Sequence, residues 1–314
     1  MKPRTIIPLL LAAATAAVLS AGCSDEEAQP RDEGSAPVSF TARVQTAQPA
    51  AAPQTRTVLD PDGNTLWTRD DEVGVLMLTA GGTVGGDVVP GAENIAHLVD
   101  PHSGELSPTH GTPIYYPRNQ AVDFVAYYPF HPDSKLVDPP LGDQTTIKQQ
   151  AAIDYLFSDN AKNVSSGEKN VELEFRHLMS KIRFDITLGS GVAGDEITKA
   201  ELHGINTSLT VFLWEGRIAA GTGTYPIELR KSSEPTAGAG ATFTALVPPG
   251  SGDNGCSIVI KVDGNRYIGT IADSRQFQPN TMYIYPVTVQ GTAVSVGTAT
   301  IEPWEEFDPV QGEV

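Results

Sequence analysis

Cysteine is nearly absent: the 314 residues include only Cys23 and Cys256. That excludes the small domain held together by disulfides, so stability has to come from burial. Basic residues are scarce as well. Lys and Arg total 21 against 38 Asp and Glu, for a formal net charge of −17. This balance argues against nucleic acid and anionic lipid surfaces as partners, because both require a basic face. There is one long apolar run, Ile6 to Leu19, broken by Pro8 and Thr15. It falls short of the ~20 apolar residues a membrane-spanning helix needs. An amphipathic helical pattern on the order of ten residues is missing too. So are the Gly-x-Ser-x-Gly elbow, the phosphate loop and the zinc-binding spacings that announce common enzymes.

Against those absences, the N-terminus is informative. Lys2 and Arg4 precede the apolar run, and Ser20, Ala21 and Gly22 follow it, the order of a cleaved secretory signal. Leu19-Ser20-Ala21-Gly22-Cys23 resembles the bacterial lipoprotein box, with Ser20 at the place where that box usually holds Leu. The resemblance implies that residues 1–22 are a signal peptide and that the Cys23 thiol carries lipid in the outer membrane. Ser24, Asp25, Glu26 and Glu27 follow at once. They resemble the surface-export signal of lipoproteins from Gram-negative anaerobes, and they read equally as a solvated acidic spacer. Residues 23–37 are acidic, contain proline and have few large apolar side chains, which makes a flexible tether. With Cys23 lipidated, Cys256 stands alone at the head of an apolar alternating run, the setting of a buried, inert thiol.

From Val38 onward the pattern is that of strands. Val38, Phe40, Ala42 and Val44 alternate with Ser39, Thr41, Arg43 and Gln45, a half-buried strand. Similar runs lie at 73–78, 95–99, 114–116, 121–128, 171–175, 181–188, 199–204, 209–213, 241–247, 257–262, 266–271, 282–289 and 293–301. Residues 151–158 fit a short helix or a strand. Asp263-Gly264 between two apolar runs signals a two-residue hairpin. Asp60-Pro61-Asp62-Gly63-Asn64 is a turn; its glycine comes too early for a calcium loop and the distal acid is missing. Many short strands at regular spacing make the chain all-β, built of sandwiches, with length for two domains.

Candidate chemistry is thin. His97, His102 and His110 with Asp100 read as loop residues at irregular spacing, unsuited to a metal, so no metal and no cofactor is expected. No pair of acids is selected by spacing, and no enzyme activity is expected. Tyr115, Tyr116, Phe124, Tyr127 and Tyr128 alternate on strands, as core and interdomain packing or as an exposed sugar-stacking row.

Three segments go beyond generic β. Ile114-Tyr115-Tyr116-Pro117 followed by Val122 to Pro129 resembles a strand pair of the fimbrillin family, the fimbrillin-like lipoproteins of type V fimbriae. Val171 to Ile182, with His177 inside it, and the closing Ile301-Glu302-Pro303-Trp304 are similar to two further stretches of that family. The resemblance implies two tandem transthyretin-like Greek-key β-sandwiches, residues 38–178 and 179–314, with His177 at the joint bonded to backbone carbonyls. It implies a structural or adhesive subunit of surface fimbriae whose partners are other fimbrial subunits, in a homo- or heteropolymer, and host or bacterial surface ligands. Assembly would proceed by cleavage after Arg56, departure of the strand 38–45 and its replacement by a neighbour's strand. The rival expectation is a surface lipoprotein that binds glycans and never polymerises.

Overall fold

Alternation governs the first strand as expected. In the computed structural model, β1 (Ser39–Val44) buries Phe40, Ala42 and Val44 and turns Ser39, Thr41 and Arg43 outward. The structure describes residues 37–45, 67, 70–109, 113–133, 135–232, 239–251, 255–272 and 276–304. β2 (Glu72–Thr79), β3 (Ile95–Val99), β4 (Glu105–Pro108) and β5 (Val122–Tyr128) follow. Next come β6 (Leu136–Val137), the short α1 (Ile147–Ala151), β7 (Leu156–Ser158) and β8 (Asn170–His177). Seven of these strands close on themselves in the order β1-β4-β3-β2-β5-β7-β8, with β1 parallel to β8 and antiparallel to β4.

Among the described residues twelve more strands follow: β9 (Ser180–Leu188), β10 (Ile197–His203), β11 (Leu209–Phe212), β12 (Arg217–Ala220), β13 (Ile227–Glu228), β14 (Arg230–Lys231), β15 (Ala241–Val247), β16 (Ser257–Val262), β17 (Asn265–Thr270), β18 (Thr281–Gln290), β19 (Ala293–Val296) and β20 (Thr300–Pro303). A sheet β13-β10-β16-β17 and a sheet β14-β15-β9-β18-β19, with β20 also on β18, share one apolar core containing Phe184, Phe243, Ile260 and Tyr285. The hairpin at Asp263-Gly264 forms as expected: Val262 pairs with Asn265, and both turn residues have positive φ, 44° and 84°.

Three apolar cores result, and the third explains why some strands do not alternate. β5 buries all seven positions. Val122, Phe124, Ala126 and Tyr128 fill the closed sheet, while Val125 and Tyr127 point the other way into a core shared with Met179, Leu213, Leu246 and Trp304. A strand covered on both faces reads as a continuous apolar run.

Several expectations are corrected. Residues 114–116 form no strand; Tyr115 makes a single bridge to Pro37. Pro113, Pro117 and Pro37 supply no N–H, so a ladder cannot extend there. At 151–158, where the sequence fits either helix or strand, the structure has the end of a helix and then a strand. α1 is capped by a reciprocal Thr146–Gln149 box, and β7 follows. The single strand expected over 293–301 is two, β19 and β20, both paired with β18. Between Val287↔Val296 and Ile284↔Thr300 the register slips by one residue, opposite Pro286. That proline has no N–H to offer, and only its carbonyl takes the Gly297 N–H, at 2.9 Å.

One sheet edge is closed by side chains. Gln144 Nε2 donates to the Leu246 carbonyl at 2.9 Å, and Gln144 Oε1 accepts the Leu246 N–H at 2.7 Å. Gln150 Nε2 donates to the Thr244 carbonyl at 2.9 Å. Both glutamines are buried; Gln144 bonds Leu246 as a neighbouring strand would, just past Thr244, which β14 already pairs. Gln144→Ala strips both partners from Leu246. The expected loss is ~1–3 kcal/mol, read from the urea midpoint; an unchanged midpoint would mean water replaces the amide at no cost.

Candidate functional site

β1 is held on both flanks. Its parallel register runs from Ser39↔Asn170 to Val44↔Phe175, and Phe40↔Leu106 and Thr41↔Glu105 pair it to β4. Further backbone bonds extend the seat: Val38 N–H to the Ile114 carbonyl at 2.9 Å, Ala42 N–H to Gly104 at 2.8 Å and Gln45 N–H to Phe175 at 2.6 Å. Gly104 is required here. It has φ +70°, and a Cβ on it would lie 2.4 Å from the Ala42 carbonyl oxygen.

The inward face of β1 fills an aromatic slot. The Phe40 ring meets Phe124 at 5.0 Å and His97 at 5.6 Å, both edge-on. Trp67 lies edge-on to Phe175 and Tyr128, at 5.5 and 5.7 Å, in the same core. The outward face is polar. Arg43 forms ion pairs with both Glu172 and Glu174 of β8, and Asn170 Nδ2 donates to Thr41 Oγ1 at 3.0 Å.

His97 sits in β3, as the strand expected over 95–99 places it and against its reading as a loop residue; it is buried, its Nδ1 2.9 Å from the Ile95 carbonyl. Burial holds its pKa below the ordinary 6.5, with the Ile95 carbonyl acting weakly the other way. Stability that depends on neutral His97 is therefore complete above ~6.5 and drains away as pH falls through that value towards the lower folded pKa. His131 is shifted down by burial as well and acts in the same direction. We expect the urea midpoint to fall between pH 7 and pH 5.5, and His97→Phe to flatten part of that slope. Identical slopes in the two proteins would remove His97 from the account.

Asp100, the acid grouped with His97 in the sequence, has a local role of its own. Asp100 accepts the backbone N–H groups of Ser103 and His102 at 2.8 and 2.9 Å, and those bonds hold its carboxyl below the usual range. It is a turn-forming acid. His110 lies outside the described residues. Among the described residues no group of three or more His, Cys, Asp or Glu could hold a metal, and no helix is long and apolar enough to cross a membrane.

The lipid and processing residues, Cys23, Ser24, Asp25, Glu26, Glu27 and Arg56, also lie outside the described residues, as does the turn at 60–64. Of the five aromatics singled out in the sequence, Tyr116, Phe124, Tyr127 and Tyr128 are buried and Tyr115 is 39% exposed. Tyr128 donates its hydroxyl to Asp71 Oδ1 at 3.0 Å; burial, and then the Asp71 carboxylate, raise its pKa. Cys256 is buried, with its thiol 3.7 Å from the Gly204 carbonyl.

His177 holds a second constellation, different in detail from the expectation. Its Nδ1 lies 2.8 Å from Asp154 Oδ1, a carboxylate and not a carbonyl. The imidazole stacks on Trp304 with centroids 3.7 Å apart and planes 10° from parallel. Lys181 Nζ approaches the same indole at 5.6 Å. All four side chains are buried. Nothing in the spacing of Asp154, His177 and Trp304 announces this contact; it depends on how the strands are brought together.

The fold has solved relatives. A candidate cell adhesion protein from Bacteroides ovatus ATCC 8483 shares it with a TM-score of 0.67 at 18% identity, over 86% of this chain and 98% of that one. A candidate cell adhesion protein from Bacteroides uniformis ATCC 8492 gives 0.64 at 22% identity, over 77% and 94%. One from Bacteroides fragilis NCTC 9343 gives 0.52 at 16%, over 87% and 99%. No curated protein matches the sequence. The profile of the fimbrillin-like family matches residues 55–304. That span takes in every strand from β2 to β20, and the chain belongs to the fimbrillin-like family.

Proposed function

We propose that this protein is a structural or adhesive subunit of cell-surface fimbriae, anchored in the outer membrane by lipid on Cys23 and assembled by strand exchange at the seat of β1. The observation that carries the reading is the position of β1. It is the first strand among the described residues, it is bonded on both sides, and its inward side chains fill the core of a closed sheet. Its departure would expose two strand edges and an apolar slot, which an incoming strand would cover again. The connection from β1 to β2 contains Arg56, the cut position implied by the family resemblance. Cleavage there would leave β1 in place by non-covalent bonds alone until a competing strand arrives.

In this reading residues 1–22 are a signal peptide, 23–37 a tether, and Ser24 to Glu27 direct export to the surface. Residues 38–178 and 179–314 are two transthyretin-like Greek-key sandwiches, a division supported by the separate cores around Phe124 and Phe184. The neighbouring subunits are its partners, and we assign it no catalytic role. The glycan-binding alternative draws no support from the aromatic row, which is buried apart from Tyr115.

Mass spectrometry of protein released from the cell surface tests the processing. The expected N-terminus is lipidated Cys23, or Thr57 after cleavage, and Cys23→Ala should take up no labelled fatty acid. For assembly, limited trypsin treatment should cut first at Arg56, and size exclusion should then show slow growth of oligomers. A nicked protein that unfolds, or that stays monomeric at high concentration, would remove strand exchange from the reading.

A further inference from the structure

The outward face of the β1 seat has a chemistry of its own. Glu172 and Glu174 alternate on β8 with the buried Val171, Leu173 and Phe175, so both carboxylates stand on the same polar side. Arg43 pairs with both. The nearby cations are engaged elsewhere: Arg176 with Asp159 at 2.9 Å, and Lys162 with Asp123 at 3.4 Å. Among the described ion pairs Arg43 alone neutralises this carboxylate pair, in a chain whose net charge is −17. Without β1, two adjacent acids would line an open strand edge.

Resting on the strand-exchange reading above, we infer that this seat selects its incoming strand by charge. The occupant is an extended segment of a neighbouring subunit. It is apolar where Val38, Phe40, Ala42 and Val44 lie, and it carries Lys or Arg where Arg43 lies. A neutral residue at that point leaves both carboxylates unpaired. An acidic one adds a third like charge across the pair, which is repulsive. A second copy of this chain cannot meet the requirement from its C-terminal strands, because residues 276–314 contain neither Lys nor Arg. β18, β19 and β20 lie within that stretch, and it contributes Glu302, Glu305, Glu306, Asp308 and Glu313. The rule therefore shuts the C-terminal strands of a second copy out of this joint: the β1 seat receives a strand that is basic where Arg43 lies.

The test uses the full chain cut at Arg56 by limited trypsin, with the protease then inhibited. Labelled synthetic peptides compete for the seat: the native sequence of residues 37–45, the same peptide with Arg43→Ala or Arg43→Glu, and residues 293–304. The native peptide should exchange in. Arg43→Ala should bind ~10-fold more weakly, given two partly exposed ion pairs, with Arg43→Glu weaker still and the 293–304 peptide weakest. Glu172→Gln with Glu174→Gln in the chain should bring the three 37–45 peptides together, and 1 M salt should narrow their spread. If those three bind the wild-type chain equally, charge selection is wrong while strand exchange stands. If the 293–304 peptide matches the native one, the occupant is a second copy and the inference fails. If no peptide enters, strand exchange and the charge rule fall together.

Discussion

Phe40→Ala is expected to lower unfolding stability by ~3–5 kcal/mol, the usual cost of emptying a buried aromatic site. Phe40 is 2% exposed and meets Phe124 and His97 edge-on. The surrounding sheet is closed, so its walls cannot collapse far into the space left behind, and residual cavity adds to lost transfer energy. Against a typical domain stability of ~5–15 kcal/mol the loss is large. It should appear as a lower urea midpoint with an unchanged slope. Thr41→Ala, on the outward face of the same strand, should stay within ~0.5 kcal/mol. In the nicked protein Phe40→Ala should also speed the loss of β1, read as faster uptake of a labelled 37–45 peptide. A midpoint equal to wild type would show that β1 is not part of the cooperative fold.

Trp304→Ala should cost a similar ~3–5 kcal/mol, at a different place. Trp304 is 2% exposed and belongs to the third core with Tyr127, Met179, Leu213 and Leu246. Its indole covers His177, whose Nδ1 is already tied to Asp154. Removing it uncovers a buried imidazole and carboxylate as well as an apolar space. Hydrogen exchange should therefore rise first in β20 and around the β8–β9 connection, before β10 and β16. Tyr225→Ala, at 70% exposure, is the control and should change little. Uniform acceleration across the whole chain would mean that Trp304 supports no local unit.

The strands with one wet face were legible because alternation is a local signal: β1, β8 and β9 each show it. The Asp263-Gly264 hairpin was legible because its backbone needs positive φ at two successive positions. The short strands were not. β6, β13 and β14 have two residues each, too few for any period, and exist because a longer strand lies beside them. The expected strand at 114–116 failed because aromatic content says nothing about whether the flanking prolines leave N–H groups to pair. For the candidate site, the apolar face of β1 could be read from four alternating residues. Its seat could not, since β8 follows about 130 positions later, with Arg43 beside Glu174 at a separation of 131 residues. The Asp154–His177–Trp304 cluster has the same origin.

The side-chain closure of β15 at Leu246 would bear on the growth by strand addition proposed above. In polymer chemistry the shape of the product follows from the number of reactive ends per monomer: two give a line, and more give branches or a gel. Every unpaired strand edge is a reactive end of this kind. By occupying both hydrogen-bonding groups of Leu246, just past the residues that β14 pairs, with an amide from its own chain, the protein removes one open edge. For a subunit that grows by the strand addition proposed above, Gln144 would then be a chain stopper built into the monomer, favouring a thread over a network.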